Sequence, residues 1–235
     1  MLDKTAIILC SGGIDSVVTA YYTKRVLGYK RLKIVFFDYG QRSLINEEFF
    51  SKLCGKNIGA DFIKIRLNWL SEISNSLINK NKKVKKISKK NLKDTKKESE
   101  KYYVPCRNLL FLSYALALAE SIYIKEKKDC DIFVGFKCEG EESYPDTTNE
   151  FVRRLNNLSE KGCSGNFKII APLIKKDKED IIILGKKLGV DFRKTFSCYI
   201  SDKKKKHCGK CLACALRKSG FYWAGKKDPT DYLEN

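Results

Sequence analysis

The chain has 235 residues, 43% of them hydrophobic and 32% charged, with a formal net charge of +19. That length suits one α/β domain with a sizeable core, and the composition excludes wholesale disorder. No apolar run reaches the ~18–20 residues of a membrane span, because the longest helical candidate, 109–124, is broken by Ser113, Glu120 and Ser121. The opening Met-Leu-Asp-Lys turns at once into a strand-like run with no signal-peptide core, so the cytoplasm is the expected compartment.

In chain order, residues 6–9 form a short continuous apolar run that ends at Cys10-Ser11-Gly12-Gly13, which predicts a buried strand entering a glycine turn. Helical spacing follows over 16–27 and stops at Gly28. Residues 33–37 predict a second strand, 45–58 an amphipathic helix and 61–67 a third strand. Strands alternating with helices of this length predict a parallel, doubly wound sheet with ligands beyond the strands' carboxyl ends. The stretch 70–101 breaks the rhythm, is low in complexity and shows no core face, so an insertion or mobile loop is expected. After it come a helix at 107–125, a strand at 131–136, a helix at 147–161, a strand at 168–171 and helices at 178–188 and 212–224. The expected organisation is an α/β domain over 1–195 carrying the insertion, and a Cys-rich C-terminal segment over 196–235.

The charge is unevenly spread. Residues 80–101 carry a net +8 and Lys203 to Lys206 another +4, so two short polar runs hold twelve of the nineteen charges. Blocks of like charge read as solvated loops. The first run also lacks the interleaved aromatics on which a single-stranded nucleic acid would stack, so nucleic acid is not the expected partner. Ten cysteines in a cytoplasmic-looking chain predict thiols or metal ligands rather than disulfides.

Two motifs carry chemistry. Ser11-Gly12-Gly13-Ile14-Asp15-Ser16 lies between the first strand and the first helix. Glycines there let backbone N–H groups approach an anion, the helix start adds partial positive charge, and the serines add donors. The pattern lacks the Walker lysine and matches the signature of pyrophosphatase-loop ATP enzymes, whose fold is adenine nucleotide hydrolase-like. Asp15 is placed to help hold Mg²⁺ against the phosphates. Cys198, Cys208, Cys211 and Cys214 follow a Cys-x9-Cys-x2-Cys-x2-Cys spacing, which predicts a closed tetrahedral structural Zn²⁺ site. An iron–sulfur cluster and redox-active Cys pairs are the alternatives. The neighbouring lysines and Arg217 are expected to offset the charge of that site, and His207, the single histidine, is expected to be a bystander.

Further motifs appear in order. They are Phe37-Asp38-Tyr39-Gly40-Gln41-Arg42, Val104-Pro105-Cys106-Arg107-Asn108, Tyr144-Pro145-Asp146 with Glu150-Phe151, Pro172-Leu173-Ile174 with Lys178, and Thr195-x-Ser197-Cys198-Tyr199. With the two above, they make the chain resemble the QueC family of 7-cyano-7-deazaguanine synthases over nearly its whole length. The resemblance implies a homodimeric, ATP-dependent ligase. It would adenylate the carboxylate of 7-carboxy-7-deazaguanine and transfer nitrogen to it, giving the amide and then, with a second ATP, the nitrile. It further implies that Leu9, Ser11, Gly12, Gly13, Asp15, Ser16, Phe37 and Lys178 hold ATP. Tyr39, Gln41, Arg42, Arg107, Asn108, Tyr144, Asp146, Glu150 and Phe151 would hold the substrate, with Asp15, Arg107 and Lys178 as the catalytic set. Arg is the natural bidentate partner of a carboxylate or phosphate. Asp146 and Glu150 would accept from the donor edge of a guanine-like ring, and Tyr144 or Phe151 would stack on it. Cys106 stands where the family has a small residue, so it is expected to be a packing residue.

Two departures fall beside the expected substrate pocket. Ser43 stands where the family usually has His, and Thr147-Thr148-Asn149 where it usually has Cys-Arg-Pro. They keep open a second reading, a QueC-like ligase of a phage-defence system that joins the deazaguanine to a protein amine. A tRNA-modifying pyrophosphatase-loop enzyme is a third.

Overall fold

A computed structural model describes residues 4–79, 95–137, 144–201 and 205–233. Five strands, Thr5–Leu9 (β1), Arg31–Asp38 (β2), Asp61–Arg66 (β3), Cys130–Val134 (β4) and Lys168–Ile170 (β5), pair in parallel in the order β3-β2-β1-β4-β5. The helices are Ile14–Arg25 (α1), Leu44–Ile58 (α2), Trp69–Glu72 (α3), Thr95–Glu100 (α4), Arg107–Glu126 (α5), Asn149–Gly162 (α6), Lys178–Lys187 (α7) and Leu212–Trp223 (α8). Among the described residues no helix is long and apolar enough to cross a membrane.

Every residue of β1 and β4 is buried, as central parallel strands covered on both faces require. Alternate side chains feed two cores. Ile7 and Leu9 join the layer of α5, whereas Ala6, Ile8 and Cys10 join that of α1 and α7. The chain is therefore a doubly wound α/β sheet. β1 connects through α1 to β2 on one side and pairs with β4 on the other, so the strand order reverses at β1. Such a switch point opens a crevice at the strands' carboxyl ends, and loops there can reach a ligand without disturbing the core.

The expectation of a coreless insertion over 70–101 is corrected at its first end. Leu70 is fully buried, Ile78 joins the same core, and Asn79 bridges Gln41. The Asn79 amide donates to the carbonyls of Ser71 and Ser74. Isolated apolar residues without periodicity gave no core signal because their burial comes from docking on the loop after β2. Residues 80–94, with most of the first Lys run, lie outside the described residues, as do Cys138, Lys203 and Lys204.

The C-terminal helix α8 rests on α7 through Gly220. A Cβ there would stand 2.3 Å from Lys178 Cγ and 3.1 Å from Ile182 Cδ1, so only glycine admits this approach. Phe221 meets Phe192 edge-on at 5.3 Å.

Candidate active site

The Ser11–Ser16 loop forms the turn from β1 into α1, as its sequence predicts. Gly12 has φ +81°, in the left-handed region, and a Cβ on it would lie 2.9 Å from Phe50 Cβ and from the Ser51 backbone nitrogen. Both constraints demand glycine. Ser51 Oγ donates to the Cys10 carbonyl at 2.8 Å, and the Phe196 N–H donates to the Gly12 carbonyl at 2.8 Å. The loop is thus tied from α2 on one side and from the segment before α8 on the other. Ser16 Oγ donates to the Gly13 carbonyl and lies 3.5 Å from Ser11 Oγ. The first N–H groups of α1, which have no partner within their own helix, and these hydroxyls make the loop an anion cradle.

Gly135, immediately after β4, was not singled out by sequence. A Cβ there would come within 2.9 Å of the Ser16 nitrogen, so Gly135 lets β4 close against the start of α1. A glycine at a predicted strand's carboxyl end was the available signal.

Asp15 and Lys178, remote in sequence, meet over this loop: Lys178 Nζ lies 2.7 Å from each Asp15 oxygen. Lys178 opens α7, and its stem runs past Gly220. Asp15 therefore faces the cradle already paired with a cation, and both groups remain partly exposed at 26% and 17%.

A cavity of about 340 Å³ lies at the carboxyl ends of β1, β2 and β4, a size in the range of small-molecule sites. Leu9, Ser11, Gly13, Asp15, Ser16, Phe37 and Lys178 line it at the loop end, and Tyr39, Arg107, Asn108 and Tyr144 line it on the opposite wall. Arg107 Nη1 donates to Tyr39 Oη at 3.4 Å, and the guanidinium carbon sits 5.5 Å from the Tyr39 ring centre. Burial works against the Arg107 charge, but Tyr39, Tyr199 and Asp146 around it carry its pKa above the usual value. Burial pushes Tyr39 up to about 12. Phe111, one turn beyond Arg107 on α5, stacks on Phe37 at 4.0 Å and adds a flat apolar surface that the sequence reading missed.

Five expected substrate residues lie off this cavity. Gln41 is fully buried, and its amide joins the Tyr39 N–H, the Phe37 carbonyl and Glu47, so it fastens its own loop. Arg42 donates to the Asn79 carbonyl. Asp146 is buried and accepts from the Asn108 N–H at 3.4 Å, behind the wall. Glu150 is exposed and bound to Arg153 and Arg154, which hold its pKa down to about 2. It is a first-turn helix acid on the solvent side of α6. Phe151 packs behind Phe136, its ring 6.4 Å away, and Phe136 is the residue that reaches the cavity.

Cys106 also differs from expectation. It is exposed rather than packed, and its φ of +53° is left-handed. A small residue suits this position because a side chain there meets backbone strain, not because the site is crowded. The other missed lining residues include Glu47, Ile78, Ser99, Lys137, Tyr199 and Arg217.

The four C-terminal cysteines converge. Their sulfurs all lie within 4.8 Å of one another, and the Cys198–Cys211 and Cys208–Cys214 pairs are 3.8 Å apart. Backbone N–H groups of Ser201 and Cys208 point at Cys198 Sγ, and those of Lys210 and Cys211 at Cys208 Sγ. Such donors stabilise thiolate charge, so the cluster is built to hold a metal. Arg217 does not serve chiefly as its counter-charge. It is 1% exposed and donates to Thr195 Oγ1, Ser197 Oγ, Thr230 Oγ1 and the Phe192 carbonyl. It clamps the segment whose Phe196 holds Gly12. His207 is buried and accepts the Ser197 N–H through Nε2, which gives it a part in holding the segment before α8. None of the nine cysteines among the described residues is in a disulfide.

A family model described as "Queuosine biosynthesis protein QueC" matches residues 5–225. The chain belongs to the QueC family. Curated relatives of the family include the 7-cyano-7-deazaguanine synthase of Methanothermobacter thermautotrophicus, 33% identical over 97% of this chain and 99% of that protein. The enzyme of that name from Hydrogenovibrio crunogenus is 37% identical over 99% of this chain and 97% of its own. Among solved structures the chain overlays on a U34-tRNA thiolase from Methanococcus maripaludis with TM-score 0.48 at 14% identity, covering 95% of this chain and 68% of that one. At that level the likeness carries no functional weight. QueC membership makes the chain an enzyme of the ATP-dependent carbon–nitrogen ligase type.

Proposed function

We propose that this protein adenylates the carboxylate of 7-carboxy-7-deazaguanine and transfers nitrogen to it, giving the amide and then 7-cyano-7-deazaguanine. The observation that carries the reading is the pairing of an anion-cradling loop with a half-buried arginine across one cavity, in a chain whose full-length relatives bear that synthase name. In this reading Leu9 and Phe37 flank the nucleotide, and Ser11, Gly12, Gly13 and Ser16 cradle its phosphates. Lys178 meets the negative charge that grows on pyrophosphate as it leaves. Asp15 orients Lys178 and supplies the carboxylate for Mg²⁺. Arg107 takes the substrate carboxylate, which suits its fork of donors. Tyr39, Asn108 and Tyr144 shape the pocket around the ring. Gln41, Arg42, Asp146 and Phe151 support it from behind, and Glu150 has no part.

Zinc is the proposed metal. Ligand bonds of about 2.3 Å in a tetrahedron put sulfurs a little under 4 Å apart, close to the 3.8 Å seen for two of the pairs. A four-iron cluster would spread its thiolates over a much larger cube. Residues 1–195 would form the ATP domain and 196–235 the metal-bearing segment packed on it. The family resemblance implies a cytoplasmic homodimer. The relatives give no support to a protein-amine or tRNA acceptor. The test is ATP–pyrophosphate exchange, expected with 7-carboxy-7-deazaguanine and absent with tRNA. No exchange with the small acid overturns the reading.

A further inference from the structure

Nitrogen arrives in water as ammonium, which carries no lone pair, so amide formation needs a group to take its proton at the site. Among the described residues the carboxylates lining the cavity are Asp15 and Glu47. Asp15 is paired through both oxygens with the Lys178 cation and is the carboxylate assigned to Mg²⁺. Tyr39, with its pKa near 12, stays protonated at neutral pH. The Cys10 thiol is turned to Ser16 Oγ under the loop.

Glu47 differs from each of these. It stands in the first turn of α2, and its backbone carbonyl lies 3.1 Å from where a Cβ of Gly12 would be, hard against the phosphate loop. Its side chain enters the cavity, where the Arg107 charge acts on it. Two neutral donors orient the carboxylate: Ser43 Oγ to Oε1, and Gln41 Nε2 to Oε2 at 3.1 Å. Gln41 cannot swing away, because the Tyr39 N–H and the Phe37 carbonyl hold its other contacts. The carboxylate is therefore fixed without being neutralised by a salt bridge, and each oxygen keeps a lone pair. Burial raises its proton affinity above that of an ordinary Glu, the direction a proton acceptor needs. Ser43, a departure from the family motif, is one of its two anchors.

We propose that Glu47 is the proton acceptor of the nitrogen-transfer step, an inference that rests on the ligase reading above. One N–H proton of ammonium passes to a Glu47 oxygen. The freed lone pair forms the C–N bond at the acyl carbon, and the C–O bond to AMP breaks with its electron pair leaving on the AMP phosphate. A second proton leaves the nitrogen to water as the adduct collapses.

Hydroxylamine, already unprotonated at neutral pH, separates this role from a structural one. With ATP and 7-carboxy-7-deazaguanine, the ratio of amide formed from ammonium to hydroxamate formed from hydroxylamine is expected to fall about 100-fold in Glu47→Gln. Glu47→Asp, which keeps the charge but withdraws the oxygens by one methylene, should lower the same ratio in the same direction and serves if the first variant does not fold. An unchanged ratio, whether both products survive or fall together, overturns the proposal. Wild-type protein that makes neither product overturns the ligase reading itself, and the proposal with it.

Discussion

The two walls of the cavity are held in different ways. The phosphate-loop wall is tied by backbone: the Gly12 carbonyl receives the Phe196 N–H at 2.8 Å, the Cys10 carbonyl receives Ser51 Oγ at 2.8 Å, and Gly12 and Gly135 fill gaps that no side chain could share. The opposite wall is tied through side chains, with Arg107 donating to Tyr39 at 3.4 Å, Asp146 accepting the Asn108 N–H at 3.4 Å, Gln41 accepting the Tyr39 N–H at 2.9 Å and Tyr144 donating to the Ser99 carbonyl at 2.6 Å, and it starts at a left-handed Cys106. Short backbone bonds in a closed turn leave a phosphate cradle little to reorganise, which favours electrostatic preorganisation. The two long bonds, at Arg107 and Asn108 beside the strained Cys106, leave that end of the opposite wall room to tighten around a ligand. On the proposed function, the difference separates a part common to many acceptors from the part that selects one.

The largest effect should come from removing the prop behind the first wall. Cys211→Ser takes away one of four converging sulfurs, and metal-binding energy in such sites is folding energy. The variant is expected to lose its metal, to melt at lower temperature and to bind ATP more weakly, because Phe196 sits two residues from Cys198. Elemental analysis, calorimetry and nucleotide titration check this, and metal content and melting equal to wild type would break it. Next comes Asp15→Asn. It keeps size and hydrogen bonding but removes the charge that holds Lys178 over the loop. Adenylate formation, read by pyrophosphate exchange, should drop by roughly two to four orders of magnitude, about 3–5 kcal/mol at the barrier. Melting should move little, since a partly exposed ion pair contributes little to stability. Smallest is Cys106→Gly on the other wall. Relief of a left-handed φ, less the extra entropy of an unfolded glycine, should stabilise the protein by about 0.5–1 kcal/mol. A loss of stability in chemical denaturation would show that Cys106 makes contacts that outweigh the strain.

What the sequence determined by itself is whatever depends on neighbours along the chain. Buried strands, amphipathic helices, the Ser11–Ser16 turn and the Cys-x2-Cys-x2-Cys knuckle are local patterns, and each stands where its residues said it would. The strand order, the pairing of Asp15 with Lys178 across 163 residues and the Arg217 clamp on the 192–197 segment are products of packing. So is the choice between near neighbours that looked equivalent in a motif. Gln41 turned inward to fasten its loop, while Glu47, six residues further on, reached the cavity. Glu150 fell on the solvent face of α6 although its motif pointed to the substrate. A motif specifies residue types and spacing, but the direction a side chain takes is set by the rotation of its helix or loop against the rest of the fold. Only the tertiary structure fixes that angle.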